Sequence, residues 1–221
     1  MGIVSCLRAY FRKAGATKAV IGLSGGIDSA LACFLAAKAL GAKNVAAYYL
    51  PYFENGDEKY AKMAARWAGV RLRTASIRNA VDGICAATET KDRIGKGNVM
   101  ARVRMVFLYS FARKNKALVV GAGNRSELLT GYFTKYGDGA CDVLPLGALY
   151  KTDVWKMARE LDAPAAILKR KPSAGLWKGQ TDEGELGVSY EKLDALLRRG
   201  GMKKRVAATE HKRKPPVVIP C

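Results

Sequence analysis

Apolar and polar positions along the chain fall into blocks whose period changes. Val20, Ile21 and Leu23 form a short apolar run that predicts a buried strand. It enters the glycine-rich turn Ser24-Gly25-Gly26, after which Ala30, Leu31, Phe34, Leu35 and Leu40 continue as a helix, with Asp28 or Ser29 as its expected cap. Asn44 to Leu50 predicts a second strand ended by Pro51. Tyr60, Met63, Ala64 and Trp67 predict a helix from Asp57 to Gly69, and Val70 to Ile77 has strand character. This order predicts an α/β fold: a doubly wound parallel sheet with helices on both faces and a ligand crevice beyond the strands' carboxyl ends.

The second half continues the alternation. Residues 91 to 98 have loop composition, and Val99 to Arg113 then predicts a helix carrying Arg102 and Arg104. Ala117 to Gly123 predicts a fourth strand, whose tip places Asn124 to Glu127 along the same sheet edge as the first turn. From Thr130 to Asp142 glycines are interleaved with aromatic and charged residues, a composition that suits holding a large polar ligand. A helix is expected from Thr152 to Leu161, capped at Thr152 or Asp153, with Lys151 just before the cap. Residues 169 to 187 form a long polar segment, a lid or a disordered loop. Ser189 caps a last predicted helix to Arg199. One domain, 1–221, is expected, with a basic tail from about residue 198 that holds the single histidine, His211.

A glycine-rich strand-to-helix turn presents unpaired N–H groups and the positive end of a helix dipole, which favours an anion. Asp28 beside that site makes sense if a divalent cation bridges the two, and Glu127 could share it. The turn lacks the Gly-Lys-Ser/Thr of a Walker A loop and the G-x-G-x-x-G dinucleotide fingerprint. Gly22 to Gly26 does match G-x-S-x-G, which leaves open Ser24 as a hydrolase nucleophile with His211 formally available, alongside an ordinary βα turn. Hydrophobic residues at 49% and charged residues at 26% exclude a disordered chain. The formal net charge of +19 favours anionic partners, nucleotides or RNA, or reflects adaptation of the whole surface. Cys6, Cys33, Cys85, Cys141 and Cys221 are widely spaced and read as reduced thiols. No run of ~20 apolar residues occurs and no leader pattern opens the chain, so a cytoplasmic protein with no membrane partner is expected.

Ser24-Gly25-Gly26-Ile27-Asp28-Ser29 after an apolar strand resembles the PP-loop of ATP pyrophosphatases, whose fold is adenine nucleotide alpha hydrolase-like. Met100 to Met105, Gly121 to Glu127, Thr130 to Asp142, Pro172 to Glu183 and His211 to Arg213 extend the likeness, in order and spacing, to the ammonia-dependent NAD synthetases. The resemblance implies that the nicotinate carboxylate of deamido-NAD is adenylated by ATP, releasing pyrophosphate, and that ammonia then displaces AMP. It implies ATP contacts at Gly22, Leu23, Ser24, Gly25, Gly26, Ile27, Asp28, Ser29, Ala122, Lys151 and Ser173. It implies Mg²⁺ on Asp28 and Glu127, and deamido-NAD on Arg102, Lys135, Asp142, His211 and Lys212. No catalytic residue is assigned, although Asp138 is a candidate for steering or deprotonating ammonium. Ala122 stands where the family usually has threonine, and Ser173 keeps a threonine's hydroxyl. A homodimer whose partner completes the substrate site is also implied, with no nucleic acid partner. The rival is a PP-loop enzyme that adenylates a tRNA base, which the charge suits but the lack of a C-x-x-C pair and of a separate RNA module does not. A nucleotide-binding module without turnover is the third class.

Overall fold

The computed structural model describes residues 2–54, 56–177 and 179–219 and gathers the apolar runs into one parallel sheet. In chain order the elements begin with α1 (Ile3–Lys13), β1 (Ala19–Gly22), α2 (Ile27–Leu40), β2 (Val45–Tyr49), α3 (Glu58–Ala68) and β3 (Leu72–Thr74). There follow α4 (Arg78–Ala87), α5 (Arg93–Asn115), β4 (Leu118–Val120), α6 (Arg125–Thr130) and α7 (Lys151–Glu160). The last are α8 (Ala165–Leu168), α9 (Asp182–Leu186), α10 (Tyr190–Arg198) and α11 (Lys203–Ala208). Strand order is β3-β2-β1-β4, with Val20 paired to Ala46 on one side and to Val119 on the other. The order reverses at β1, so the crevice between the carboxyl ends of β1 and β4 is the topological switch point where such sheets bind ligands.

Successive strand residues face opposite ways, and each face collects its own core. Ile21 packs with Leu31, Leu35, Ala64 and Val154 under α2, α3 and α7, whereas Val20 and Val119 pack with Val81, Met100 and Val103 under α4 and α5. Helices on both faces are as the pattern predicts. Ten of the fourteen residues of α2 are buried, which is why its sequence is nearly all small and apolar. α1 lies against it through Leu7 and Phe11, and Arg8 Nε donates to the Ala39 carbonyl (3.1 Å) at the carboxyl end of α2, where a cation suits the helix dipole.

Several expectations are corrected. Residues 91 to 98 are largely helix: Asp92 caps α5 by accepting from Gly95 N (2.7 Å), and Leu176 approaches Gly97 so closely that a Cβ there would lie 3.1 Å from its side chain. Neither Asp28 nor Ser29 caps α2. Its N-cap is Gly26, and Ser29 Oγ turns back to donate to the Gly26 carbonyl. α7 is capped at Tyr150 rather than Thr152 or Asp153, so Lys151 is its first residue; Asp153 accepts from Tyr150 N (3.1 Å). The segment 169–187 includes α9. The third strand is only Leu72–Thr74, an edge strand; α1, α4, α6, α8 and α11 add to the expected elements, although Leu7 and Phe11 in α1 and Val81 and Cys85 in α4 stand at helical spacing. Gly69 ends α3 and Ser189 caps α10, as expected. Cys6, Cys33, Cys85 and Cys141 are free thiols; Cys221, and Lys178 of the lid segment, lie outside the described residues. Among the described residues no helix is long and apolar enough to cross a membrane.

Because Phe11 is 1% exposed, Phe11→Ala is expected to destabilise the protein by about 3–5 kcal/mol in denaturant unfolding. A loss no larger than that of an exposed substitution would mean that α1 is not part of the core.

Candidate active site

β1 delivers the chain to the sheet edge, where Leu23 N still bonds to the Tyr48 carbonyl (2.8 Å) before the backbone turns. Gly25 makes the turn possible: its φ is +79°, and a Cβ there would lie 2.6 Å from Tyr60 Cβ and 2.9 Å from Ala61 N. The two serines brace the loop. Ser29 Oγ accepts from Ser24 N (3.2 Å), Ser24 Oγ accepts from Gly26 N (3.2 Å), and the hydroxyls are 3.1 Å apart. His211 is exposed in the tail and does not line the cleft, so Ser24 has no histidine base and the hydrolase arrangement is not formed.

The ends of β1 and β4 meet through charge. Lys151 Nζ, on a side chain 2% exposed, is ion-paired with Asp28 Oδ2 and lies 3.8 Å from Glu127 Oε1. Asn124 bridges the same carboxylates: Nδ2 donates to Asp28 Oδ1 (2.9 Å) and its backbone N to Glu127 Oε2 (3.1 Å). Asn124 Oδ1 accepts from Glu127 N, completing a capping box on α6. Lys151 is placed from behind by buried Asp194, which accepts from Ser126 Oγ and Thr152 N, while Ser126 Oγ accepts from Lys151 N (2.9 Å). Burial alone would push the Lys151 ammonium down, but Asp28 and Glu127 outweigh it and hold it above its ordinary value. Burial, then the Asp28 charge, pushes Glu127 up to about 8.

One oxygen from each of Asp28 and Glu127 converges on the point where the ammonium lies. That donor set suits Mg²⁺, which takes one or two carboxylates together with phosphate oxygens and water. Among the described residues no group of three or more His, Cys, Asp or Glu is arranged to hold a metal without such added ligands.

The turn opens onto a cleft of about 490 Å³. Of the positions expected to contact ATP, Gly22, Leu23, Ser24, Gly26, Ile27, Asp28, Ser29, Ala122, Lys151 and Ser173 line it, while Gly25 is buried under Tyr60. Of the positions expected to contact deamido-NAD only Lys212 does, with Nζ donating to the Gly131 and Phe133 carbonyls (both 2.7 Å). Arg102 is exposed, its Nε donating to the Lys135 carbonyl (3.3 Å). Asp142 closes the free edge of β4, accepting from Val119 N (2.6 Å). Asp138 also lines the cleft, solvent-accessible and accepting from Thr134 N (2.8 Å); the protein packed around it pushes its carboxyl above the usual range.

The profile of the NAD synthase family matches residues 1–216. The chain belongs to that family. It is 50% identical to the NH₃-dependent NAD⁺ synthetase of Pyrococcus furiosus over 198 residues, covering 89% of this chain and 77% of that one. The structure of NMN synthetase from Francisella tularensis superposes with a TM-score of 0.90 at 38% identity, covering 98% of this chain and 95% of that one. The NH₃-dependent NAD synthetase of Campylobacter jejuni gives 0.81 at 29% identity, covering 99% and 96%. By this homology the protein is an NH₃-dependent NAD⁺ synthetase, a ligase of NAD biosynthesis that uses ATP.

Within this NAD synthetase, sequence reasoning passed over Asn124, although Asn-x-x-Glu after a strand is a capping-box signal. It also passed over the lid's anchors. Tyr132 Oη donates to Glu185 (2.5 Å) and Asp182 (3.3 Å), Tyr190 Oη donates to Asp182 (3.1 Å), and Arg170 pairs with Asp57 (2.7 Å) while donating to the Ser24 carbonyl (3.3 Å). Spacing alone could not have paired these residues across so much chain.

The raised value of Glu127 means that folding favours its protonated form, a contribution complete below about 4.5 and lost as pH rises through about 8. Lys151→Met removes the compensating ammonium. The variant is expected to lose about 3–5 kcal/mol of stability near pH 8, and less near pH 5, in denaturant unfolding at both values. An equal loss at both would exclude uncompensated carboxylate charge as the cause.

Proposed function

We propose that the cleft forms NAD from deamido-NAD in two steps. A nicotinate carboxylate oxygen attacks the α-phosphorus of ATP; the new O–P bond forms as the bond to the β-phosphate breaks, and pyrophosphate leaves with the electron pair. Ammonia then attacks the acyl carbon, the C–O bond to AMP breaks, and the nitrogen loses a proton. Adenylation is needed because a carboxylate carbon is a poor electrophile and oxide a poor leaving group. The carrying observation is the convergence on one cleft of the PP-loop turn, the Lys151 ammonium with Asp28 and Glu127, and Ser173 of the lid.

In this reading the turn's N–H groups and serine hydroxyls hold the departing pyrophosphate and Lys151 faces the phosphates, so catalysis is mainly positioning and charge stabilisation. Asp28 and Glu127 would hold Mg²⁺, which when bound neutralises phosphate charge. Asp138, lining the same cleft with a raised pKa, takes a proton from ammonium, since only a neutral amine attacks. The likeness to NMN synthetase supports a second acceptor, nicotinate mononucleotide, which presents the same carboxylate.

A homodimer is part of this reading. Arg102, Lys135 and Asp142 lie outside the single-chain cleft, beside Tyr10, Val106, Tyr109 and Tyr136, all at least 39% exposed. Tyr10 Oη donates to the Asp142 carbonyl (2.8 Å), and Val106 follows Arg102 by one turn of α5. A second copy on this face would cover the aromatics and complete the substrate site.

Protein mixed with ATP, Mg²⁺, ammonium and deamido-NAD is expected to yield NAD, AMP and pyrophosphate in equal amounts, and no NAD with glutamine as nitrogen source. Running nicotinate mononucleotide in parallel decides the acceptor by kcat/KM, and Asp138→Asn should be slowest at subsaturating ammonium. ATP binding without AMP release would overturn the reading. Sedimentation should show a dimer, with Val106→Glu shifting it to monomer and raising the KM for deamido-NAD while ATP affinity holds. A monomeric parent with full activity would remove the dimer.

A further inference from the structure

Arg102 and Arg104 are two residues apart on α5 and therefore face different ways. Arg102 is exposed outside the cleft, whereas Arg104 is half-buried in its wall, with Nε donating to the Leu50 carbonyl (3.0 Å) at the end of β2. Five cations line the cleft among the described residues, and most are already engaged. Lys151 serves Asp28 and Glu127, Arg170 serves Asp57 and the Ser24 carbonyl, and Lys212 serves two carbonyls. Lys171 is exposed on the lid segment. Arg104 alone combines shelter from solvent with unengaged donors: its two terminal nitrogens make no hydrogen bond, and it enters no ion pair within 4.0 Å, among the described residues. Asp138 accepts from Thr134 N, and its charge acts on Arg104 without an ion pair within 4.0 Å.

We propose that the Arg104 guanidinium receives the nicotinate carboxylate of the acceptor and so distinguishes the acid substrate from the amide product. A planar fork with two free N–H edges matches a carboxylate in bidentate geometry. The Leu50 carbonyl fixes the fork's plane, so the carboxylate is presented in one orientation from the β2 end towards the turn at the end of β1, where the α-phosphate is required. Conversion to the amide removes the charge that Arg104 holds, which weakens the product's grip and favours its release. The same contact serves a mononucleotide or a dinucleotide acceptor, because both carry that carboxylate. This inference deepens the reaction proposed above and rests on it.

Calorimetric binding of deamido-NAD and of NAD to the parent, Arg104→Met and Arg104→Lys tests the assignment, with ATP affinity as the check on the cleft. The parent should prefer deamido-NAD. Arg104→Met should lose about 10- to 100-fold in deamido-NAD affinity, the range for a charge-assisted pair, with NAD and ATP affinities unchanged, and Arg104→Lys should recover part of the loss. A Met variant that keeps the parent's preference overturns the assignment, as does one that loses all three affinities together while Arg104→Lys retains full preference. The parent's own turnover separates the two levels: no NAD from deamido-NAD overturns the reaction, whereas turnover with an unchanged Met preference overturns only the role of Arg104.

Discussion

The structure depends on one ammonium placed between two carboxylates. Lys151 ties Asp28, from the turn after β1, to Glu127, from the helix after β4, and these strands meet where the sheet order reverses. Burying such charges costs several kcal/mol for each ion before their attraction is counted, so the cluster is a weak source of net stability. Its consequence is geometric. Asn124, Ser126 and Asp194 hold the three charged groups by hydrogen bonds, which fixes the distance between two loops that belong to different halves of the sheet. A polyphosphate entering between them meets donors, an ammonium and carboxylates already in place, and little reorganisation is left to pay for.

The charge of the whole chain and the charge of the cleft differ in character. The formal net charge is +19, and residues such as Lys13, Lys18, Lys43, Arg71, Lys91 and Lys203 carry it on the surface. The cleft is lined by five cations and six carboxylates among the described residues. A track for a nucleic acid backbone would be basic along its length. This cleft instead pairs nearly every cation with a specific carboxylate or carbonyl, which suits a small anion recognised at defined atoms, while the basic exterior raises the local concentration of anionic substrates.

How much was legible follows from how local each cause is. β1, its turn and α2 were readable because the apolar run, glycines and small-residue helix lie within some twenty residues and agree with one another. The start of α5 was misread because Gly95 and Gly97 carry loop composition. Their real reasons are an Asp92 cap and the approach of Leu176, which comes from far along the chain. Lys151 lines the cleft but stands on the other side of its helix cap from the one expected, since Tyr150 is an unusual N-cap and its support comes from Asp153 and from Asp194 on α10. Arg102 and Arg104 are the sharpest case: residue type and spacing are the same for both, and only the rotation of α5 against β2 decides which one faces the cleft.

The cleft's outer wall is attached differently from its floor. β1 and β4 are held by apolar packing on both faces, but the lid segment is fastened by Arg170 on the Ser24 carbonyl and Asp57, and by Tyr132 and Tyr190 on the carboxylates of α9. The tail is fastened by Lys212 on two carbonyls. Such bonds, each with a charged partner, contribute about 1.5–3 kcal/mol apiece and exchange with water, where a packed core has no such replacement. Arg170 contacts the Ser24 turn itself, so in the proposed reaction a phosphate bound at that turn lies against the segment's own anchor. A wall fastened by replaceable polar bonds over a floor fixed by packing lets the outer side of the cleft rearrange without disturbing the sheet edge on which Asp28, Glu127 and Lys151 stand.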